Sequence, residues 1–380
     1  MRQEPPVPET VLAAVRAPFL KAGATELEAP VLQPLGLLLD LAGEALRERL
    51  FVVQGEGGQE AALRPDFTIP AVTAHIESGR ASGRYLYEGR AFRVAPSGSD
   101  RSEEFLQIGI EAFDADAADP AEGDAEMAAL AWRASAAGGR GDLRLMLGDV
   151  GLFGAFLDSV GIEGPLAARL KRAFASPRRL WAELDQAMSR EEPPARGGER
   201  LAGLLAGLSE AEAAAVLEEI WALAGIEPVG GRSAGEIVHR LAERAALSGA
   251  PRLSSDQADI IRRFLAISDS PEPALSAIRR LAGKGRPALD AALDAWSRRL
   301  KALAAEGVPG DRIRLSTAFG RAFGYYDGML FEVVSDALGV DQPVAAGGRY
   351  DSLPARLGAK LATGAVGCMV RPGRAWTGKR

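Results

Sequence analysis

One cysteine, Cys368, and two histidines, His75 and His239, are the whole supply of thiol and imidazole in 380 residues. A single thiol excludes an internal disulfide framework and fits a reducing compartment. Neither histidine has a cysteine partner nearby, so the ligand set of a zinc site is missing. Surface or packing roles suit both, and His75 falls on an expected helix after Thr68. No apolar run approaches the ~20 residues of a membrane span, and Met1-Arg2-Gln3-Glu4-Pro5-Pro6 has no signal-like apolar core. These absences make no membrane association and a cytoplasmic location the expectation. The formal net charge is −6, which withholds the overall basic footprint used to bind nucleic acid. Internal repeats, low-complexity tails and heptad runs are also missing.

What remains is the composition of a soluble globular protein, 47% hydrophobic and 25% charged. The length allows two or three domains with an ample core. Apolar periodicity predicts a helix over residues 9–22, with Val11, Leu12, Val15 and Phe19 on one face, then a short strand at 24–27. Pro30 and Pro34 end that segment and open another apolar helix. Residues 50–53 and 61–63 flank a glycine-rich turn and read as a hairpin. Pro65 stops its second strand, and Thr68 is expected to cap a helix running to Gly79. Residues 84–94 and 104–113 read as two long antiparallel strands joined by Pro96-Ser-Gly-Ser-Asp100. A helix at 121–137 and a strand at 143–147 follow.

The texture changes from Val150 to about Gly307, where helical patterns succeed one another without a convincing strand. Ser209-Glu-Ala-Glu212 is a capping box, and Ser254 or Ser255 starts a helix through Ala266. Pro193-Pro194 and Gly230-Gly231 punctuate the series. Strand character returns at 312–315, 328–334 and 344–346. The expected organisation is a discontinuous α+β domain, residues 1–149 plus 308–380, interrupted by an all-helical insertion at 150–307.

Polar residues that do not fit simple amphipathic patterns cluster in a few places. In Arg321-Ala-Phe-Gly-Tyr-Tyr-Asp-Gly328, answered by Ala346-Gly-Gly-Arg-Tyr-Asp351, an arginine fork could clamp a carboxylate. Tyr325 or Tyr326 could bond a polar ring, and Gly347-Gly348 could let backbone approach a ligand. The competing interpretation is a hairpin with ordinary surface arginines. On Gln107-Ile-Gly-Ile-Glu111 the glutamine and glutamate share a strand face with Gly109 between them. This leaves a gap suited to a cationic amine or an imidazole N–H. A cross-strand pair of Glu111 with Arg90 or Arg93 would explain the same residues.

These segments resemble the class II aminoacyl-tRNA synthetase core, specifically that of histidyl-tRNA synthetases. Arg64-Pro-Asp-Phe-Thr68 is similar to that family's Arg-Pro-Glu-Gly-Thr. Residues 85–113 are similar to its motif 2, and 321–326 with 346–351 to its two histidine-recognition signatures. The resemblance covers roughly 1–150 and 308–371. It implies an antiparallel sheet flanked by helices and a histidine pocket. In that pocket Asp66, Thr68 and Gln107 hold the amino group, Arg321 the carboxylate, and Glu111 and Tyr326 the imidazole, with Tyr325 alongside. Arg93 matches the motif 2 arginine that meets the ATP α-phosphate and the amino acid carboxylate.

Departures from the synthetase pattern redirect the expected function. Val94-Ala95-Pro96 lacks the acidic residue that reads ATP, and Arg371-Pro372-Gly373 is expected to break the motif 3 helix, although Arg374 falls at the aligned arginine. Asp66 stands for a longer glutamate, Phe67 for a glycine, and Gly324 for an aspartate. The sequence stops at Arg380, where a synthetase adds an anticodon-binding domain of ~100 residues. This combination is similar to the regulatory subunits of ATP phosphoribosyltransferase. That resemblance implies a non-catalytic, cofactor-free protein that activates a short-form catalytic subunit, senses histidine, and dimerises through its motif 1-like region (the helix before Gly23 and the strand to Pro30). Two other outcomes are a histidine adenylate-forming enzyme serving a non-tRNA acceptor, and a protein that binds a tRNA mimic.

Overall fold

Two eleven-residue strands, β5 (Ser82–Phe92) and β6 (Glu104–Asp114), form the long hairpin around which the protein is built. They pair antiparallel over their full length, from Ser82 opposite Asp114 to Phe92 opposite Glu104. The computed structural model describes residues 3–378 apart from 43, 56–57, 115–118, 175–176, 189–207, 225–237, 239–252, 284, 321–323 and 361–362. Arg321, His239, Pro193-Pro194 and Gly230-Gly231 thus lie outside the described residues.

Beyond β6 the sheet continues antiparallel through β12 (Gly364–Val370), β11 (Ala345–Arg349), β10 (Met329–Ser335) and β7 (Leu143–Asp149). Two parallel pairings extend it: β1 (Thr25–Glu26) joins β5, and β9 (Ile313–Ser316) joins β7. The last member is β8 (Ser268–Asp269), which pairs with β9 and comes from the stretch expected to be wholly helical. Two residues carry no readable alternation, so this strand is set by the edge it covers rather than by local pattern. A separate small sheet, β2–β4–β3, is made of Leu32–Pro34, Glu60–Leu63 and Val52–Gln54, and the helix Leu35–Ala42 (α2) directly follows β2.

One face of the large sheet is dry. Ile108, Ile110, Cys368, Val370, Ala345, Phe331, Val333, Leu145 and Leu147 point into a single apolar core. The helix Pro120–Ala137 (α4) closes it, presenting Ala121, Ala125, Ala128 and Ala129, whose small side chains let the helix lie close to the strands. Asp119 caps this helix, accepting from the Ala121 N–H at 2.9 Å, and Pro120 supplies the fixed φ of the first turn. The helix Glu9–Lys21 (α1) packs on α4 through Val15 and Phe19, four apart on one face.

Six further helices are described between Val150 and Ala305 besides Val150–Ser159: Gly164–Ala173, Pro177–Met188, Glu210–Ala224, Ser255–Leu265, Pro271–Ala282 and Pro287–Ala305. The expected capping box at Ser209 forms, and the helix expected to start at Ser254 or Ser255 opens with a second one at Ser254. Ser209 N–H donates to Glu212 at 2.9 Å and Glu212 N–H returns to the Ser209 hydroxyl at 3.3 Å; Ser254 and Gln257 do the same at 3.1 Å each way.

A buried chain of charges ties the last of these helices to the sheet. Arg349, facing the dry side of β11, donates to Asp124 Oδ1 at 2.6 Å, and Arg299 of Pro287–Ala305 donates to Asp124 Oδ2 at 2.6 Å. Asp124 is 0% exposed. Arg299 also lies 3.6 Å from Asp149, which accepts from the Trp296 indole at 2.9 Å and caps the helix Val150–Ser159 through the Leu152 N–H.

Candidate functional site

The opposite face of the sheet carries the polar residues. Alternation along β6 puts Gln107, Gly109 and Glu111 on it, opposite Gly89, Tyr87 and Tyr85 of β5. Gly367 of β12 lies beside Glu111, and Gly348 of β11 lies beside Gly367. A Cβ on Gly367 would overlap Glu111 Oε2, so the carboxyl rests directly on the β12 backbone. Above this floor stands the start of the helix Thr68–Ser78 (α3), which Gly79 ends at φ +65°.

A small, partly open pocket is lined by Asp66, Thr68, Tyr87, Arg93, Glu111, Tyr325, Tyr326, Ala346, Gly367, Cys368 and Met369. Six of the eight residues expected to form a site therefore meet in one place: Asp66, Thr68, Arg93, Glu111, Tyr325 and Tyr326. Gln107 is not on the pocket wall. Its side chain is 0% exposed, and both amide atoms are buried without a hydrogen-bond partner among the described residues. Arg321 falls outside the described residues.

Glu111 is the centre of the hydrogen bonding. Its Oε1 accepts from the Thr68 hydroxyl at 2.9 Å and the Tyr87 hydroxyl at 3.3 Å, and its Oε2 accepts from the Tyr350 hydroxyl. Burial pushes its pKa up to about 8 from an ordinary 4.5; the three hydroxyls oppose the rise and nearby Asp66 adds to it. Burial likewise drives the Tyr87, Tyr325 and Tyr350 hydroxyls well above their ordinary value, so all three remain donors. Asp66 accepts from the Thr68 N–H at 3.3 Å and from the Tyr325 hydroxyl at 3.1 Å. Two carboxyl groups thus share a small buried space, and among the described residues no cation is paired with Glu111. Such a site favours a ligand that brings its own positive charge or N–H donors.

Several details differ from expectation for local reasons. The gap above Gly109 is taken by the Tyr87 hydroxyl, which also donates to the Cys368 carbonyl at 3.3 Å. Only Gly348 faces the pocket side, and the Tyr326 ring lies over it; Gly347 faces the core against Phe331 and Cys368. Arg90 pairs with Glu104 at 3.1 Å rather than with Glu111, and Arg93 donates to the Pro65 carbonyl at 2.8 Å. Thr68 begins α3 but does not cap it, because its hydroxyl is committed to Glu111. Phe67 stays behind the wall, stacked on Tyr87 at 4.4 Å with its ring over Gly89. After β12 the chain makes a one-turn helix, Pro372–Ala375, opened by Pro372 and followed by extended backbone at Trp376. Tyr350 and Tyr87 were not anticipated as site residues. The period-two rule could have found Tyr350, which shares the parity of Gly348.

The histidyl-tRNA synthetase family model matches residues 7–229 and 213–371. Among curated proteins, the ATP phosphoribosyltransferase regulatory subunit of Mesorhizobium japonicum is 38% identical over 370 residues, covering 95% of this chain and 95% of that protein. Those of Brucella anthropi and Agrobacterium fabrum are each 36% identical, covering 92% of this chain and 92% and 91% of theirs. Solved structures are similar in fold. An ATP phosphoribosyltransferase regulatory subunit/histidyl-tRNA synthetase from Bacillus halodurans aligns with TM-score 0.66 at 19% identity, covering 97% of this chain and 79% of that one. A histidyl-tRNA synthetase from a Nostoc species aligns with TM-score 0.60 at 15% identity, covering 96% and 69%. Among the described residues no helix is long and apolar enough to cross a membrane. With the α+β sheet, the pocket around Glu111 and relatives this similar over nearly the whole chain, the protein belongs to the family of ATP phosphoribosyltransferase regulatory subunits, built on the histidyl-tRNA synthetase fold.

Proposed function

We propose that this chain acts with a short-form ATP phosphoribosyltransferase catalytic subunit in the first step of histidine biosynthesis, and that it reads free histidine through the pocket around Glu111. Family membership supports the partnership. The observation that carries the histidine reading is the buried Glu111 carboxyl, held by three hydroxyls beside Asp66 and lacking a cation among the described residues.

In this reading Glu111 and Tyr326 take the imidazole, with Tyr325 alongside. Asp66 and Thr68 serve the ammonium, and Arg321 and Arg93 the carboxylate; the buried amide of Gln107 lies off the pocket wall and makes no direct contact in this reading. An arriving cation restores the ionised form of Glu111, so binding near pH 7 releases the proton that burial had retained. Bonds to charged groups of this kind contribute about 1.5–3 kcal/mol each. None of these roles requires a nucleophile or general base, and the subunit is regulatory rather than catalytic.

The signal has a physical route. Tyr350 touches Glu111, while the adjacent Arg349 grips Asp124 from the other face of the sheet, and Asp124 holds Arg299 of the helix Pro287–Ala305. Residues 1–149 and 308–380 form the pocket-bearing core in this scheme, and 150–307 a helical insertion that responds to it. Dimerisation through α1 and β1 and residence in the cytoplasm complete the proposal. A coupling of about 1–3 kcal/mol suffices for feedback.

The test is co-purification with the short-form catalytic subunit and assay of phosphoribosyl transfer. The chain raises the rate, histidine lowers it, and Glu111→Gln keeps the activation while losing the histidine response. Calorimetry that finds no histidine binding to the complex removes the sensor role. Histidine-dependent exchange of pyrophosphate into ATP by the chain alone would establish an adenylate-forming enzyme instead.

A further inference from the structure

Three hydroxyls surround the Glu111 carboxyl, and they are shared unequally between its two oxygens. Oε1 accepts from Thr68 at 2.9 Å and from Tyr87 at 3.3 Å, whereas Oε2 accepts from Tyr350 alone among the described residues. An ionised carboxylate has about four acceptor positions, two on each oxygen. Oε1 is therefore full. Oε2 keeps a single open position in the pocket that Glu111 lines.

Tyr87 is held in this role by its neighbours. The Phe67 ring lies flat on it, with 4.4 Å between centroids and 5° between planes, and both rings are buried. The Arg64 guanidinium stands 4.2 Å from the centre of the Phe67 ring, and its Nε donates to the Arg90 carbonyl at 2.8 Å. The stack leaves Tyr87 little room to turn away, and its hydroxyl fills the space above Gly109. That hydroxyl has one hydrogen and two acceptors at 3.3 Å, Glu111 Oε1 and the Cys368 carbonyl. A cation in the pocket ionises Glu111 and draws the hydrogen to Oε1.

What such a carboxylate can accept is narrow. An imidazole ring brings one N–H to one acceptor position. A guanidinium brings two parallel N–H groups that close on both oxygens at once, and this two-point fit is the source of its strength. With Oε1 occupied, the fork cannot close.

We propose, on the reading of this pocket as the histidine site, that Tyr87 determines its specificity. By filling Oε1 together with Thr68, it admits a ring that offers a single N–H to Glu111 and refuses forked cations of the guanidinium class.

The experiment is calorimetric titration of the full chain in complex with the catalytic subunit, using histidine and 2-amino-3-guanidinopropionate as probes. The second probe has the same ammonium and carboxylate and a guanidinium about the size of an imidazole, so the ratio of the two affinities reports the open positions on Glu111. The parent prefers histidine by about a hundredfold. Tyr87→Phe frees a position on Oε1 and narrows that preference about tenfold, the worth of one bond to a charged group. Thr68→Val frees a position on the same oxygen and narrows it likewise, which keeps the test decisive if Tyr87→Phe fails to fold. Tyr350→Phe leaves Oε1 full and keeps the preference within about twofold of the parent's, whereas a general loosening of the pocket would move all three variants together. A preference unchanged in Tyr87→Phe, or in Thr68→Val where the first variant does not fold, overturns the inference and leaves the histidine reading standing. A shift of equal size in Tyr350→Phe does the same. Absence of histidine binding in the parent, or binding that survives Glu111→Gln, removes the histidine reading and this inference with it.

Discussion

Replacing Glu111 with glutamine tests the central electrostatic claim. The carboxyl is 1% exposed and its pKa stands at about 8 in the folded protein against an ordinary 4.5, chiefly because burial penalises the charged form. A carboxyl with a raised folded pKa binds more protons folded than unfolded. Its contribution is complete below the unfolded value and is lost as pH climbs towards 8. Between pH 5.5 and 8.5 the linkage relation gives a loss of about 3 kcal/mol for this group, and about 2 kcal/mol for a folded value one unit lower. Glutamine has a similar shape, stays neutral, and still offers an oxygen to Thr68 and Tyr350. The measurement is urea unfolding of parent and Glu111→Gln at both pH values. The parent-minus-variant difference should fall by about 2–3 kcal/mol on going to pH 8.5. Profiles that run parallel within about 0.5 kcal/mol would show that the carboxyl ionises freely in the fold, and the reasoning about its ligand would fail with it.

Other consequences are equally direct. Gly367→Ala places a methyl where Glu111 Oε2 sits, so histidine binding by calorimetry should be lost while the circular dichroism spectrum is kept. Asp124→Ala leaves Arg299 and Arg349 buried without their shared carboxylate and should cost about 3–5 kcal/mol in denaturant titration; a loss below about 1 kcal/mol would mean that water reaches the pair. Phe67→Ala removes the ring stacked on Tyr87 and should destabilise by about 3–5 kcal/mol.

Much of the site was legible because strand alternation is rigid. Once residues 104–113 read as a strand, Gln107 and Glu111 had to share a face, and six of the eight expected residues do line one pocket. What alternation could not supply was the neighbour across the strand. The register that sets Tyr87 opposite Gly109 closes the expected gap, and it follows from the pairing of two strands rather than from either alone. Thr68 misled for a related reason. A threonine at a helix start usually caps it, but a buried carboxyl 43 positions away was the stronger partner. Arg349 looked like part of the ligand signature, yet it lies at odd parity to Gly348 and Tyr350 and serves the core. In the fold, the long hairpin and the helix series were plain from periodicity, whereas β8 was too short to leave a pattern.

That two-residue strand has a further effect. The nine-stranded sheet ends in β8 on one flank and β1 on the other, each only two residues long. Open flanks of long strands invite other chains to zip on, which is how many sheets aggregate. Here β8 offers an intruding segment two residues, one of them Asp269 with Pro271 close behind, and β1 two, one of them Glu26 with Pro30 beyond it, so short length, charge and proline together discourage pairing on these two strands.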